Sequence, residues 1–450
     1  MWQRFLPGMV RSVGAAAVIL IASLLGLQAK ANGLPLKLIG HGGPIKSITV
    51  SPDGKRALTA SFDYSIIYWD LSGETGHIRH RLIGHDSAVN DVEFVPGTQR
   101  AVSASDDGSL GIWDLTTGKL VARLQSDIFK TLDVAVSPNG NHAAVARWDG
   151  TARVYDLKAQ TEIALLKGHR GNVNAVAFSA DGKRLYSAAY DGQILEWDIA
   201  ESRLLRPIYR HGWGVNSIAR IDDDRLVFGA LDGTAGVVSI KGAEKIADLA
   251  KRDRPIQSVK VSADARQIGV SDGRGRIEVF GSSDLKMLEE SEVAYGPVWD
   301  FDFVAGSSQL YHVGLDDFAI RWQVSPREFS KVESKFPRRF QVRTSDDPGE
   351  LEFRRKCSVC HTLTPDGANR AGPTLFAVFG RKAGTLPGYT YSKALLDSQV
   401  VWNAQTIARL FDDGPDVMVP GTKMPIQRLK SVQRRDDLIE YLRRATAPQQ

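Results

Sequence analysis

Cysteine is almost missing from this chain: two residues in 450, which excludes a scaffold stapled by disulfides. Methionine is scarce as well, five in all. Long apolar runs are lacking beyond residue 27, and no later segment approaches the roughly twenty residues that a membrane-spanning helix needs. A surplus of one charge is also absent, with 57 Lys and Arg against 52 Asp and Glu. Of the resulting +5, three charges belong to Arg4, Arg11 and Lys30, leaving +2 for the rest of the chain. No basic segment is concentrated enough to expect a nucleic-acid partner. Disorder is excluded too, because 43% of the residues are hydrophobic. The length suffices for a sizeable core and exceeds one ordinary domain.

What is present begins with an address. Arg4 and Arg11 precede an apolar run from Val13 to Leu27, and Ala29-Lys30-Ala31 then supplies a small-x-small cleavage pattern. Residues 1–31 are therefore expected to be a secretory signal, with an uncleaved membrane anchor as the alternative. Either form places the remainder outside the cytoplasm, and the expected location is the periplasm.

Internal repetition dominates the next three hundred residues. Segments 38–71, 82–115 and 166–199 align without gaps, the first reading LIGHGGPIKSITVSPDGKRALTASFDYSIIYWDL. A weaker copy spans 124–157, and three degenerate ones end near Val238, Phe280 and Trp322. Equivalent positions 69, 113, 155, 197, 238, 280 and 322 are spaced by 41 to 44 residues. Apolar and polar residues alternate, as in Val173-Asn174-Ala175-Val176-Ala177-Phe178, which suits strands. Ser51-Pro52-Asp53-Gly54 and Ser179-Ala180-Asp181-Gly182 supply tight turns.

A unit of about 42 residues that opens on Gly-His and closes on Trp-Asp resembles the WD-repeat family, whose unit is a four-stranded propeller blade. Seven units imply a closed seven-bladed β-propeller over residues 32–325. The resemblance further implies that the first strand, around Leu36–Ile39, completes the last blade. Three copies carry a His, a Ser or Thr, an Asp and a Trp: His41, Thr59, Asp63 and Trp69; His85, Ser103, Asp107 and Trp113; His169, Ser187, Asp191 and Trp197. The residue types suggest a hydrolase, but one active site does not come in triplicate. A buried hydrogen-bond relay inside each blade is the expectation. In this family the residue before the turn aspartate points to one face, which makes Phe62, Trp148, Tyr190, Leu231 and Leu315 candidates for partner docking.

Residues 326–344 hold six basic and two acidic residues without a steady period, and are read as a basic linker. Beyond it Cys357-Ser358-Val359-Cys360-His361 spends both cysteines. Three chemistries use such a motif: a redox dithiol, a zinc half-site and covalent haem attachment. Zinc wants a second ligand pair, yet no further cysteine exists. A redox dithiol wants a βαβ context, whereas this region reads as helices and loops. Covalent haem wants two thiols at this spacing, an adjacent imidazole for the iron and a distal ligand, and Met424 is available.

Residues 345–450 resemble class I cytochrome c of the mitochondrial type. The matching features are Gly349 and Phe353, Gly372-Pro373, Phe379-Gly380-Arg381-Lys382, Gly388-Tyr389-Thr390-Tyr391-Ser392, Trp402, Pro420-Gly421-Thr422-Lys423-Met424 and the segment from Asp436 to Leu442. The resemblance implies an all-α domain with one haem c. Cys357 and Cys360 would attach it, and His361 and Met424 would be axial ligands. The Pro373 carbonyl would orient His361. Tyr391 and Trp402 would hydrogen-bond a propionate, with Arg381 and Thr422 nearby. Gly349 and Phe353 would pack the first helix on Tyr441. Two departures are an insertion at Gly414 and Leu410 where the family often has a tyrosine.

Residues 345–450 carry 15 basic and 12 acidic side chains, and residues 32–325 carry 33 and 38. Opposite net signs permit the haem domain to dock on its own propeller or on an acidic partner. The whole reads as a multidomain periplasmic electron-transfer protein rather than an enzyme. Its expected partner is a periplasmic redox protein or a membrane electron-transport complex. The alternative is an oxidoreductase whose propeller binds a substrate and exchanges electrons with the haem domain.

Overall fold

The computed structural model describes residues 33–325, apart from 126–128 and 295, and residues 346–447, apart from 359, 366–371, 388, 390, 392, 421, 423 and 425–427. The expected signal and linker lie outside the described residues.

Among the described residues, twenty-eight strands form seven four-stranded antiparallel sheets. Strand β1 (Lys37–Ile39) pairs with β28 (Phe318–Gln323), Leu38 opposite Ala319, so the last sheet takes one strand from the chain's beginning. Tyr311 Oη donates to the Pro35 carbonyl at 2.6 Å and reinforces that seam. The innermost strand β2 (Ile45–Val50) lies between β26 (Val298–Phe303) and β6 (Val89–Val95), the innermost strands of the two adjacent blades. Asp300, on β26, accepts from Ile48 N at 3.1 Å and so links the last blade to the first. The inner strands surround a channel in which Lys260 stands 3.6 Å from Asp300 and 3.9 Å from Glu93.

Strand character follows the burial each position must satisfy. The third strand of the first blade, β4 (Ser65–Asp70), is buried through five of its six residues, because both faces meet neighbouring sheets. The outermost strand β5 (His77–Ile83) buries only Leu82 and leaves His77, Ile78 and Arg79 exposed. Apolar cores therefore lie between blades rather than at one centre. Ile45, Ile67 and Trp69 of the first blade pack with Leu38, Tyr311 and Val313 of the last.

The three expected relays are present. Trp69 Nε1 donates to Thr59 Oγ1 at 2.8 Å, Thr59 Oγ1 lies 2.7 Å from His41 Nε2, and His41 Nδ1 lies 2.9 Å from Asp63. Trp113, Ser103, His85 and Asp107 repeat this in the second blade, and Trp197, Ser187, His169 and Asp191 in the fourth. An ionised aspartate only accepts, which puts the proton on Nδ1 and leaves Nε2 to accept from the hydroxyl. Burial alone would raise Asp63, but His41 beside it and bonds from His41, Ser65 and Gly42 hold it down at about 2. Blade five keeps a fragment, His211 Nε2 to Asp232 at 3.0 Å.

The described residues from 346 onward form five helices joined by loops, with one isolated bridge between Lys382 and Val401. These are α1 (Pro348–Lys356), α2 (Lys393–Leu396), α3 (Ala404–Asp412), α4 (Pro415–Met418) and α5 (Val432–Ala445). Long loop segments separate them, so helix is a smaller share of this region than an all-α description conveys. Asp347 caps α1 by accepting from Gly349 N and Glu350 N, and Asn403 and Thr406 close a reciprocal capping box on α3. Helices α1 and α5 cross where Gly349 meets the Asp437 carbonyl and Tyr441, a contact that leaves no room for a Cβ. Phe353 and Tyr441 pack with ring centroids 5.8 Å apart. Among the described residues no helix is long and apolar enough to cross a membrane.

Candidate haem site

Helix α1 ends on Cys357, whose N–H bonds back to the Phe353 carbonyl. The following turn continues with Cys360 N to Cys357 O at 3.0 Å and His361 N to Cys357 O at 2.8 Å. Three chemistry-bearing side chains thus emerge within one turn and a half of backbone. They open onto a cavity that Met424, Trp402 and Leu410 also line. Its lining is mostly apolar, with Val378, Ile407, Phe411 and Val419 among the walls. Such a chamber favours a large, flat, apolar ligand.

His361 is held from behind. Its Nδ1 lies 2.7 Å from the Pro373 carbonyl, which can only accept, so the proton sits on Nδ1 and Nε2 keeps its lone pair for a ligand. Gly372 passes so close to the imidazole that a Cβ there would run into the ring. Burial pushes the His361 pKa down, opposed by the bond to Pro373. Burial raises the Cys357 thiol to about 12 and Cys360 to about 11. A redox dithiol needs a thiolate near neutral pH, so these surroundings argue against that chemistry.

Met424 lines the same cavity. Thr422 Oγ1 accepts from Met424 N at 3.3 Å, and Thr422 N donates to the Val419 carbonyl at 3.0 Å, which folds the segment into a turn. The thioether packs against the core formed by Phe353, Cys357, Ile407 and Leu438. Arg381 lines the cavity with its guanidinium bonded to the Phe376 carbonyl at 3.0 Å and the Thr374 carbonyl at 2.6 Å, so it also clamps the loop after Pro373. Tyr391 Oη accepts from Leu386 N at 3.4 Å and stands edge-on to Tyr389 at 4.8 Å. Trp402 is pinned by backbone bonds to Gly380 and Arg381. All nine residues expected around a haem reside in this region, and the cavity and donor set suit one: two thiols, one oriented imidazole and one thioether in an apolar chamber. Gly414, the inserted residue, caps α4 with φ of 100°, and Leu410 is buried in the cavity wall.

One lining residue comes from elsewhere. Tyr64, in the first blade of the propeller, lines the same cavity. Reading the sequence for haem ligands does not find it, but aligning the repeats gives a signal. After the turn aspartate, Gly108, Gly150, Gly192 and Gly233 stand where the first repeat has Tyr64.

The candidate docking residues divide. Trp148 and Tyr190 are 55% and 61% exposed. Phe62, Leu231 and Leu315 are only partly exposed. Phe62 packs against Trp299 at 5.7 Å, with the Lys46 ammonium 5.1 Å from the Trp299 ring. Trp213, which the reading of turns omitted, is 66% exposed beside Gly192.

Comparison with known proteins agrees with both halves. The family described as WD domain, G-beta repeat matches residues 33–70, 76–114, 118–156 and 160–198. Cytochrome c of Sesamum indicum is 45% identical over 101 residues, which cover 88% of that protein and 22% of this chain. Cytochrome c of Ginkgo biloba is 39% identical over 99 residues, covering 87% of it and 22% of this chain. That of Kluyveromyces lactis is 36% identical over 101 residues, covering 91% of it and again 22% of this chain. The chain belongs to the cytochrome c family, with its cytochrome c part fused to a propeller of WD repeats.

Proposed function

We propose that this protein is an exported, periplasmic c-type cytochrome that passes single electrons to and from another redox protein, with the propeller as the docking scaffold. The observation that carries the reading is the convergence of Cys357, Cys360, His361 and Met424 on one apolar cavity, with the His361 lone pair freed by the Pro373 bond. Cys357 and Cys360 would hold one haem through thioethers, and His361 and Met424 would supply ligands to its iron. With an imidazole and a thioether as its iron ligands, the group would supply one-electron transfer at a raised potential. Tyr391, Trp402 and Thr422 would hold the propionates, with Arg381 supplying positive charge beside them.

The proposed organisation is a signal in residues 1–31, a propeller in 32–325, a linker in 326–344 and the haem domain in 345–450. The exposed rings of Trp148 and Tyr190 support a protein-docking face, since aromatic side chains give large contact area for little entropy loss. A tethered haem domain meets its partner at high effective concentration, so a weak electron-transfer contact remains productive. Stopped-flow exchange with reduced periplasmic donors, in wild type and Met424→Ala, tests the reading. Wild type should exchange electrons rapidly and show a sulfur-to-iron absorption band that Met424→Ala loses, along with a lower potential. A band that survives in Met424→Ala, or wild-type protein inert toward every donor, contradicts it.

A further inference from the structure

Blades one to five join their second and third strands by a tight turn with one residue in the left-handed region. Gly108, Gly150, Gly192 and Gly233 fill that position at φ of 83°, 82°, 77° and 84°. In the first blade the same position is Tyr64, at φ of 69°. A bulky residue held there is strained, and such strain persists only where the surroundings fix it. The turn itself does not require the ring, because blades two to five form it with glycine.

The surroundings that fix Tyr64 belong to the haem domain. Its side chain lines the cavity that also holds Cys360, His361, Tyr389 and Met424. Burial raises its pKa well above the usual phenol range, with Cys360 and Tyr389 adding to the shift. The neighbouring turn residue Asp63 acts in turn on Tyr389. The two partners also carry opposite net charge, acidic over residues 32–325 and basic over 345–450.

We propose that the turn of the first blade is a built dock for the chain's own haem domain, with Tyr64 as the plug that closes the mouth of the haem cavity. The contact deepens the proposed function, on which it rests for what the cavity holds. It covers the mouth of the cavity at the first blade and leaves Trp148 and Tyr190, on equivalent turns of the third and fourth blades, open to a partner. An external partner then meets the propeller first, and electron exchange through the covered mouth awaits undocking. Tyr64 is a positioning residue in this scheme, because it sets where the haem domain sits.

Full-length, haem-loaded Tyr64→Gly is the direct test, since glycine restores the turn that the sister blades use and the propeller keeps its fold. Tyr64→Phe keeps the ring and serves as the conservative control. Small-angle scattering and the rate of reduction by ascorbate read the dock. Tyr64→Gly should show a larger radius of gyration and several-fold faster reduction, with an unchanged haem spectrum and no fall in the propeller's melting temperature, while Tyr64→Phe matches wild type. Wild-type scattering and reduction rate in Tyr64→Gly overturn the proposal. Scattering reads the dock whether or not haem is bound, so a failure of the haem assignment shows in the spectrum and is separable from a failure of the dock.

Discussion

Trp69, Trp113 and Trp197 each donate an indole N–H to a buried hydroxyl, and that need for a partner is why three blades could be read from sequence. A buried donor without an acceptor costs about 1–3 kcal/mol, so the tryptophan, hydroxyl, histidine and aspartate travel together. Where the tryptophan is replaced by Val238 or Phe280, the need disappears and the repeat fades. Blade three substitutes differently: Arg147, fully buried, donates to the Gly108 carbonyl at 3.3 Å, a solution no repeat pattern announces. His312 on β27 (Gln309–Gly314) is another single-residue feature, 4% exposed and with its pKa lowered by burial from 6.5 to about 4. The unfolded imidazole takes up its proton near pH 6.5 and the folded one only near 4, so stability is full above about 6.5 and falls as the pH drops through that window. The loss is on the order of 3 kcal/mol. His312→Gln should flatten the stability profile between those two pH values, measured by urea denaturation. A variant whose profile overlays wild type would show that His312 does not set the acid sensitivity.

At the scale of elements, the joint between β1 and β28 carries the closure of the ring. Leu38 is fully buried in the core shared by the first and last blades, so three residues of strand do more than their length suggests. Without β1, strand β28 would present unpaired N–H and C=O groups along an open edge, and open edges recruit other chains. Deleting residues 33–39 should therefore lower the propeller's melting temperature and produce concentration-dependent association in analytical ultracentrifugation. A truncated protein that stays monomeric and melts like wild type would mean that the seam does not hold the ring. This joint was legible only through the resemblance to WD repeats, which implies that the first strand, around Leu36–Ile39, completes the last blade. The helices from residue 346 were legible through their family features, but their shortness was not. Helix α2 and helix α4 have four residues each, and the loops between them are shaped by what they enclose rather than by periodicity.

For the whole molecule, sequence reading expected two domains and singled out nine residues that line one cavity, but not how the two domains meet. Complementary charge permitted docking without naming a surface. Tyr64 escaped because its meaning lies in two places at once: a turn that wants glycine, in one domain, and a cavity in the other. Neither half alone marks it. The central claim about the molecule is simpler and can be decided first: one haem is joined to this chain through Cys357 and Cys360. Full-length protein from a host that matures c-type cytochromes should be extracted with acid acetone and weighed intact by mass spectrometry. The account predicts a mass equal to the polypeptide plus a single haem, and the bare polypeptide mass for a Cys357→Ala, Cys360→Ala double variant. Haem that leaves with the solvent from the wild-type protein, or a retained mass that does not depend on those cysteines, would contradict it.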